Sequence, residues 1–131
     1  MRALRVYWAA MPRLPDLRIP IRGTSMLPVL REGDEVSVRP ARIYWPGQVL
    51  VFLDPHGQVW VHRLLGAKPS GNGWRLFLKG DAAPKLDPPV ETGRVLGRVV
   101  AVRRDGADRP LDRTDNFLRW MRSLQEYIRG R

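Results

Sequence analysis

Proline and glycine punctuate this chain so often that only short uninterrupted segments remain before residue 114. There are twelve of each, scattered without a repeat through 131 residues. Proline removes a backbone donor and fixes φ, and glycine supplies the turn conformations that other residues avoid. A chain cut this way favours many short strands over long helices, so an all-β core is expected. The length suits one domain. With 44% hydrophobic and 27% charged residues, the chain has enough apolar content to bury a core.

The apolar runs fit that reading. Glu35 to Arg39 alternates apolar and polar, as a half-buried strand does. Val49 to Leu53 is continuously apolar and reads as a buried strand. Asp54-Pro55-His56-Gly57 has the composition of a β-turn, and Gln58 to Leu65 reads as the return strand. On that return strand Trp60, His62 and Leu64 share one face, while Val59, Val61, Arg63 and Leu65 share the other. Residues 68–73 read as a loop, Trp74 to Lys79 as a strand, residues 80–91 as irregular, and Val95 to Arg103 as a final strand with a bulge at Gly97. Residues 104–113 read as a loop. Phe117, Trp120, Met121, Leu124 and Ile128 then recur at helical spacing, with Asp112 or Thr114 as the cap. The expected organisation is an N-terminal arm over 1–18, a β-domain over 19–104, and a linker with an amphipathic helix over 105–131.

Composition also limits the chemistry. Cysteine is absent and histidine occurs twice. Disulfides and thiol nucleophiles are therefore excluded, and a multi-histidine metal site is not expected; no cofactor or metal is assigned. The net charge of +10 favours anionic surfaces, but no nucleic-acid-binding signature occurs, so no specific nucleic-acid partner is expected. No apolar window reaches 18 residues.

A serine hydroxyl is a poor nucleophile until a neighbouring base takes its proton. Of the serines, Ser37 alternates within a strand, Ser70 sits in a loop and Ser123 lies on the terminal helix. Ser25 stands in the turn Gly23-Thr24-Ser25-Met26-Leu27-Pro28, where Gly23 allows close backbone approach to a substrate and Pro28 stiffens the exit. His56 belongs to a turn tip. His62 lies mid-strand and is the candidate base, and Asp81, at a strand end, is a candidate acid.

Together these segments resemble the type I signal peptidases and the wider LexA-like serine peptidase superfamily. Residues 23–30 with Gly33-Asp34 look like the nucleophile box, and residues 46–52 like the next box, with Gln48 where that family usually has Asp. Residues 61–66 look like the base box, Lys79-Gly80-Asp81 followed by Asp87 like the acidic box, and Gly97-Arg98-Val99 like the closing strand. Five boxes in the family's order, over roughly residues 19–102, are far more specific than any one of them.

The resemblance implies a signal-peptidase/LexA-like β-fold and a serine endopeptidase that cleaves an extended segment of a precursor protein, in maturation or signal-peptide processing. Ser25 would be the nucleophile and His62, which stands where bacterial members carry lysine, the base, as in the archaeal and endoplasmic-reticulum branch. Asp81 would orient His62, with Asp87 as the alternative acid. Backbone groups around Ser25, with Gly23 and Thr24, would hold the oxyanion, although Gly23 lacks the hydroxyl the family often places there. Ile21, Met26 and Val61 would line a shallow pocket for small residues. Such a base must be neutral, so activity should rise through about pH 6–7. Without a membrane anchor in the sequence, the expected setting is the cytoplasm; the amphipathic terminal helix has two readings, packing on the β-domain or a partner, and peripheral contact with an anionic membrane. The competing readings are an inactive or self-cleaving LexA-like module and a basic module that binds nucleic acid or lipid.

Overall fold

A computed structural model describes residues 17–111 and 113–130. Most of the expected N-terminal arm, and Asp112 as a helix cap, lie outside the described residues. The fold is mainly β: of the described residues, 43% are in strands and 18% are helical. The strands are β1 (Leu17–Pro20), β2 (Glu35–Arg39), β3 (Val49–Leu53), β4 (Val59–Ser70), β5 (Gly73–Lys79), β6 (Val90–Glu91), β7 (Val95–Arg104) and β8 (Ala107–Pro110); helix α1 spans Arg113–Arg129. They form one antiparallel sheet in the order β1-β2-β7-β3-β4-β5-β6, with β8 beside β7.

β3 explains its own apolar run. Val49 and Val51 enter one core cluster with Ile21, Met26, Leu30, Val36, Val38, Val99 and Val102. Leu50 and Phe52, on the opposite face, enter a second with Tyr44, Leu64, Leu76, Leu78, Val90 and Val95. A strand covered on both faces cannot alternate with polar residues. β2 alternates because only Val36 and Val38 point into the core. At the expected bulge, Val51 pairs Gly97 while Phe52 pairs Val95, which leaves Leu96 as the extra residue. A Cβ on Gly97 would come within 2.8 Å of the Arg39 backbone, so the β2–β7 approach there requires glycine.

Two segments read as loops are strands. β4 runs on to Ser70 and returns through Gly71-Asn72 into β5. Beyond Arg63 it no longer pairs with β3, so Pro69 is tolerated on the open edge. Residues 104–110 form a hairpin in which Arg104 pairs Ala107 across Asp105-Gly106, both at positive φ. That turn chemistry favours a hairpin even where the flanking residues are polar. Within the irregular segment, Val90 and Glu91 pair with Leu76 and Arg75.

Helix α1 turns Asn116, Trp120 and Ser123 toward the sheet. No helix among the described residues is long and apolar enough to cross a membrane.

Candidate active site

The turn that carries Ser25 is closed by local bonds, Leu27 N–H to Thr24 O at 3.2 Å and Leu30 N–H to Met26 O at 2.9 Å. Buried Met26 and Leu30 anchor it in the core and leave Ser25 exposed. Gly23 has φ +80°, which L side chains rarely adopt. The missing hydroxyl at that position thus follows from the turn's backbone. Thr24 is exposed, and Gly23 N–H donates to Glu32 Oε1 at 3.4 Å.

His62 lies in the part of β4 that pairs with β3, directly across from Leu50. Its side chain is 3% exposed. Trp60 and Phe52 meet the imidazole edge-on, with ring centroids 5.4 and 6.2 Å away. Trp60 is held in turn, because its indole N–H donates to Asp54 Oδ2 at 2.9 Å. Asp54 also accepts from the backbone N–H groups of His56 and Gln58. These donors, the Trp60 indole foremost, keep the Asp54 carboxyl below the usual carboxylate range.

The imidazole bridges two partners. Nε2 lies 3.1 Å from Ser25 Oγ, and Nδ1 lies 2.5 Å from Asp87 Oδ2. Asp87 is fixed by its own backbone, whose N–H donates to Leu78 O at 2.8 Å. With Nδ1–H donated to a carboxylate, Nε2 is left to accept the serine proton. A nucleophile, a base and an orienting acid in this order can carry out acyl transfer.

The expectation that Asp81 orients His62 does not match this geometry. Asp81 accepts from Arg63 Nε and Nη2, both at 2.8 Å, and from Ser123 Oγ at 3.2 Å. Arg63 is fully buried, and a buried guanidinium needs a paired carboxylate. Its Nη1 donates to Gly47 O and to Asn116 Oδ1. Asp87, the alternative acid, is the one that reaches the imidazole. Asp81 does serve the site through its loop: Ala82 N–H donates to Ser25 O at 2.9 Å, and Asp81 N–H points at Met26 Sδ. A Cβ on Gly80 would stand 2.7 Å from Ser25 O and 3.2 Å from His62 Nε2, so only glycine lets the loop approach the pair this closely.

Other expected site residues divide. Ile21, Met26 and Val61 do come together, but Ile21 and Met26 are 6% and 3% exposed and belong to the core cluster beneath the turn. They form a floor, not an open pocket. Lys79 is buried; its ammonium donates to Gly80 O and Ala83 O and pairs with Glu126 of α1 at 3.4 Å. His56 is exposed at its turn.

Arg63, Asn116 and Ser123 were not singled out from sequence, yet they tie α1 to the site. The available signal was Val61-His62-Arg63-Leu64-Leu65, a strand in which the arginine shares its face with apolar Val61 and Leu65. Such a strand buries that arginine and so demands an acid.

Among the described residues no group of three or more His, Cys, Asp or Glu could hold a metal ion. In comparisons with known proteins, the chain matches no protein-family model and no curated relative.

Proposed function

We propose that this chain is a serine endopeptidase that cleaves an extended segment of a precursor protein, with Ser25 as nucleophile, His62 as base and Asp87 as the orienting acid. The observation that carries this reading is the continuous contact from exposed Ser25 Oγ through buried His62 to Asp87. The resemblance to signal peptidases points to the same reaction.

Ser25 Oγ attacks the scissile carbonyl carbon while His62 Nε2 takes its proton. The imidazolium forms against the Asp87 carboxylate, which stabilises its charge. The proton passes to the leaving amine as the C–N bond breaks. Water then attacks the acyl-enzyme, giving its proton to His62, and Ser25 leaves with a proton returned from His62. Backbone N–H groups at the Ser25 turn would receive the oxyanion. One such donor contributes about 2.7–4 kcal/mol to the transition state in serine peptidases.

The sheet favours an extended substrate. β5 pairs with β4 only from Arg63 onward, whereas β3 pairs with β4 over Val59–Arg63. Among the described residues the stretch Val59–Val61 therefore has one edge without a strand partner, immediately before His62. A peptide added along that edge gains main-chain hydrogen bonds and is led toward the Ser25 turn.

The test is labelling by a serine-reactive acylating probe, read by intact mass. One adduct is expected on wild type and none on Ser25→Ala or His62→Ala. An adduct that survives in Ser25→Ala, or a folded wild type that neither labels nor cleaves any member of an extended-peptide library, would overturn the reading.

A further inference from the structure

Among the described residues, four of the ten exposed large hydrophobic side chains lie on α1, the others being Leu27, Ile43, Trp45, Val59, Trp60 and Trp74. Phe117, Leu118, Met121 and Ile128 of α1 are 55%, 58%, 42% and 58% exposed, and Ile43 and Trp45 are 59% and 63% exposed. The segment carrying Ile43 and Trp45 runs straight into Gly47, and a Cβ on Gly47 would stand 3.1 Å from Asn116 O and 3.5 Å from Trp120 Cβ. Gly47 therefore lies against the first half of α1, on the side that Asn116 and Trp120 occupy.

The helix has two apolar sides with different fates. Trp120 docks on the sheet, its indole donating to Leu65 O at 2.8 Å. Met121 and Ile128 follow a separate line at helical spacing and are left exposed, and Phe117 joins that line while its ring lies 5.9 Å from that of Trp120. The need to pack on the sheet accounts for the first side and not for the second. Exposed arginines accompany the second: Arg113 and Arg129 on α1, and Arg122, which pairs with Glu126 at 3.6 Å.

We propose that this outer face of α1 docks on the surface of an anionic lipid bilayer. An apolar line on a helix lying in the interface enters the boundary between headgroups and acyl chains, while neighbouring arginines meet the phosphates. The charge selects this occupant over a second copy of the chain. Two molecules of net charge +10 would bring arginine-bordered faces together, and that repulsion opposes self-association. An anionic bilayer is instead complementary to the basic border. The inner bonds of α1, to Arg63, Asp81 and Lys79, mean that a membrane holding α1 would also hold the elements on either side of His62. The docking does not depend on the peptidase reading, and its test measures binding alone.

The experiment is co-sedimentation of the full chain with vesicles of phosphatidylcholine and of a phosphatidylcholine–phosphatidylglycerol mixture, at low and physiological salt. Binding to the anionic vesicles should exceed binding to the neutral ones by about tenfold or more and weaken with salt. The double variant Phe117→Ser with Met121→Ser keeps the charge and should lose most of the binding. Arg122→Ala and Arg129→Ala should each lower affinity about fivefold. Trp74→Ser, an exposed aromatic on β5, should change nothing. Circular dichroism checks that each variant is folded. Absent or charge-independent vesicle binding would overturn the proposal. So would binding indifferent to the Phe117/Met121 change, or light scattering showing that the change dissociates an oligomer.

Discussion

Asp81 and Asp87 stand on one loop, and their surroundings could hardly differ more. The Asp81 side chain is 5% exposed and faces a fully buried arginine that grips it with two nitrogens, while Ser123 adds a third donor. Asp87 is 17% exposed and faces an imidazole. Arginine is permanently charged and presents a rigid fork, so its partner is fixed in place. Histidine exchanges a proton, so its partner takes part in whatever that proton does. Two identical carboxylates thus meet different bases, Asp81 a fixed guanidinium and Asp87 an imidazole, and only the second would share in the proposed chemistry.

If that division is right, the two acids fail differently. Asp87→Asn should leave the fold and its melting temperature nearly unchanged and lower kcat by about 10⁴-fold, the loss expected when a triad acid can no longer hold the imidazole tautomer. The check is hydrolysis of a cleavable peptide beside a thermal melt of the same sample. Asp81→Ala should show the reverse emphasis. It leaves the Arg63 guanidinium buried without its carboxylate, and breaking a buried pair from one side costs about 3–5 kcal/mol. Urea unfolding would read that loss. A fully stable Asp81→Ala with abolished turnover would return Asp81 to the chemistry and break the comparison.

A third acid sharpens it. Asp34 is 1% exposed and is gripped by Arg104 at 2.8 and 2.6 Å, with Arg31 N–H adding a bond at 2.9 Å. The Arg104 contact, foremost, holds its carboxyl below the usual carboxylate range. Arg104 also donates to Val29 O, so this pair braces the chain just after the Ser25 turn. A depressed carboxyl stabilises the fold fully above its unfolded value, about pH 3.9. The stabilisation fades as the pH falls below that value and through the folded one. Wild type should therefore lose more stability than Asp34→Asn between neutral pH and pH 3, although Asp34→Asn is the less stable at pH 7. Parallel melting curves across that range would show instead that the Arg104 grip contributes nothing.

The strands were legible because their signals are local. The β3 run and the β2 alternation each report how many faces are covered, and Asp54-Pro55-His56-Gly57 closes its hairpin through the Asp54 carboxylate. Ser25 and His62 were legible through the resemblance and do meet. The choice between Asp81 and Asp87 was not, because both lie in a segment with little regular structure. Its path is set by distant partners: Arg63 and Ser123 draw in one end, and Leu78 O fixes the other. β8 escaped notice because all its residues are exposed, so no apolar pattern marks it and only Asp105-Gly106 announces the turn.

The smallest effect tests how much of the Asp81 arrangement belongs to the helix. Ser123 is 3% exposed and its hydroxyl is the direct bond from α1 to Asp81. Ser123→Ala removes that donor but leaves both carboxylate oxygens paired with Arg63, so no buried acceptor is orphaned. The expected loss is about 1 kcal/mol, with turnover close to wild type. A loss as large as that of Asp81→Ala would mean that the helix, and not the arginine, keeps Asp81 in place. The buried pair would then depend on α1 staying docked, and anything that lifted the helix from the sheet would reach the Ser25 backbone through Ala82.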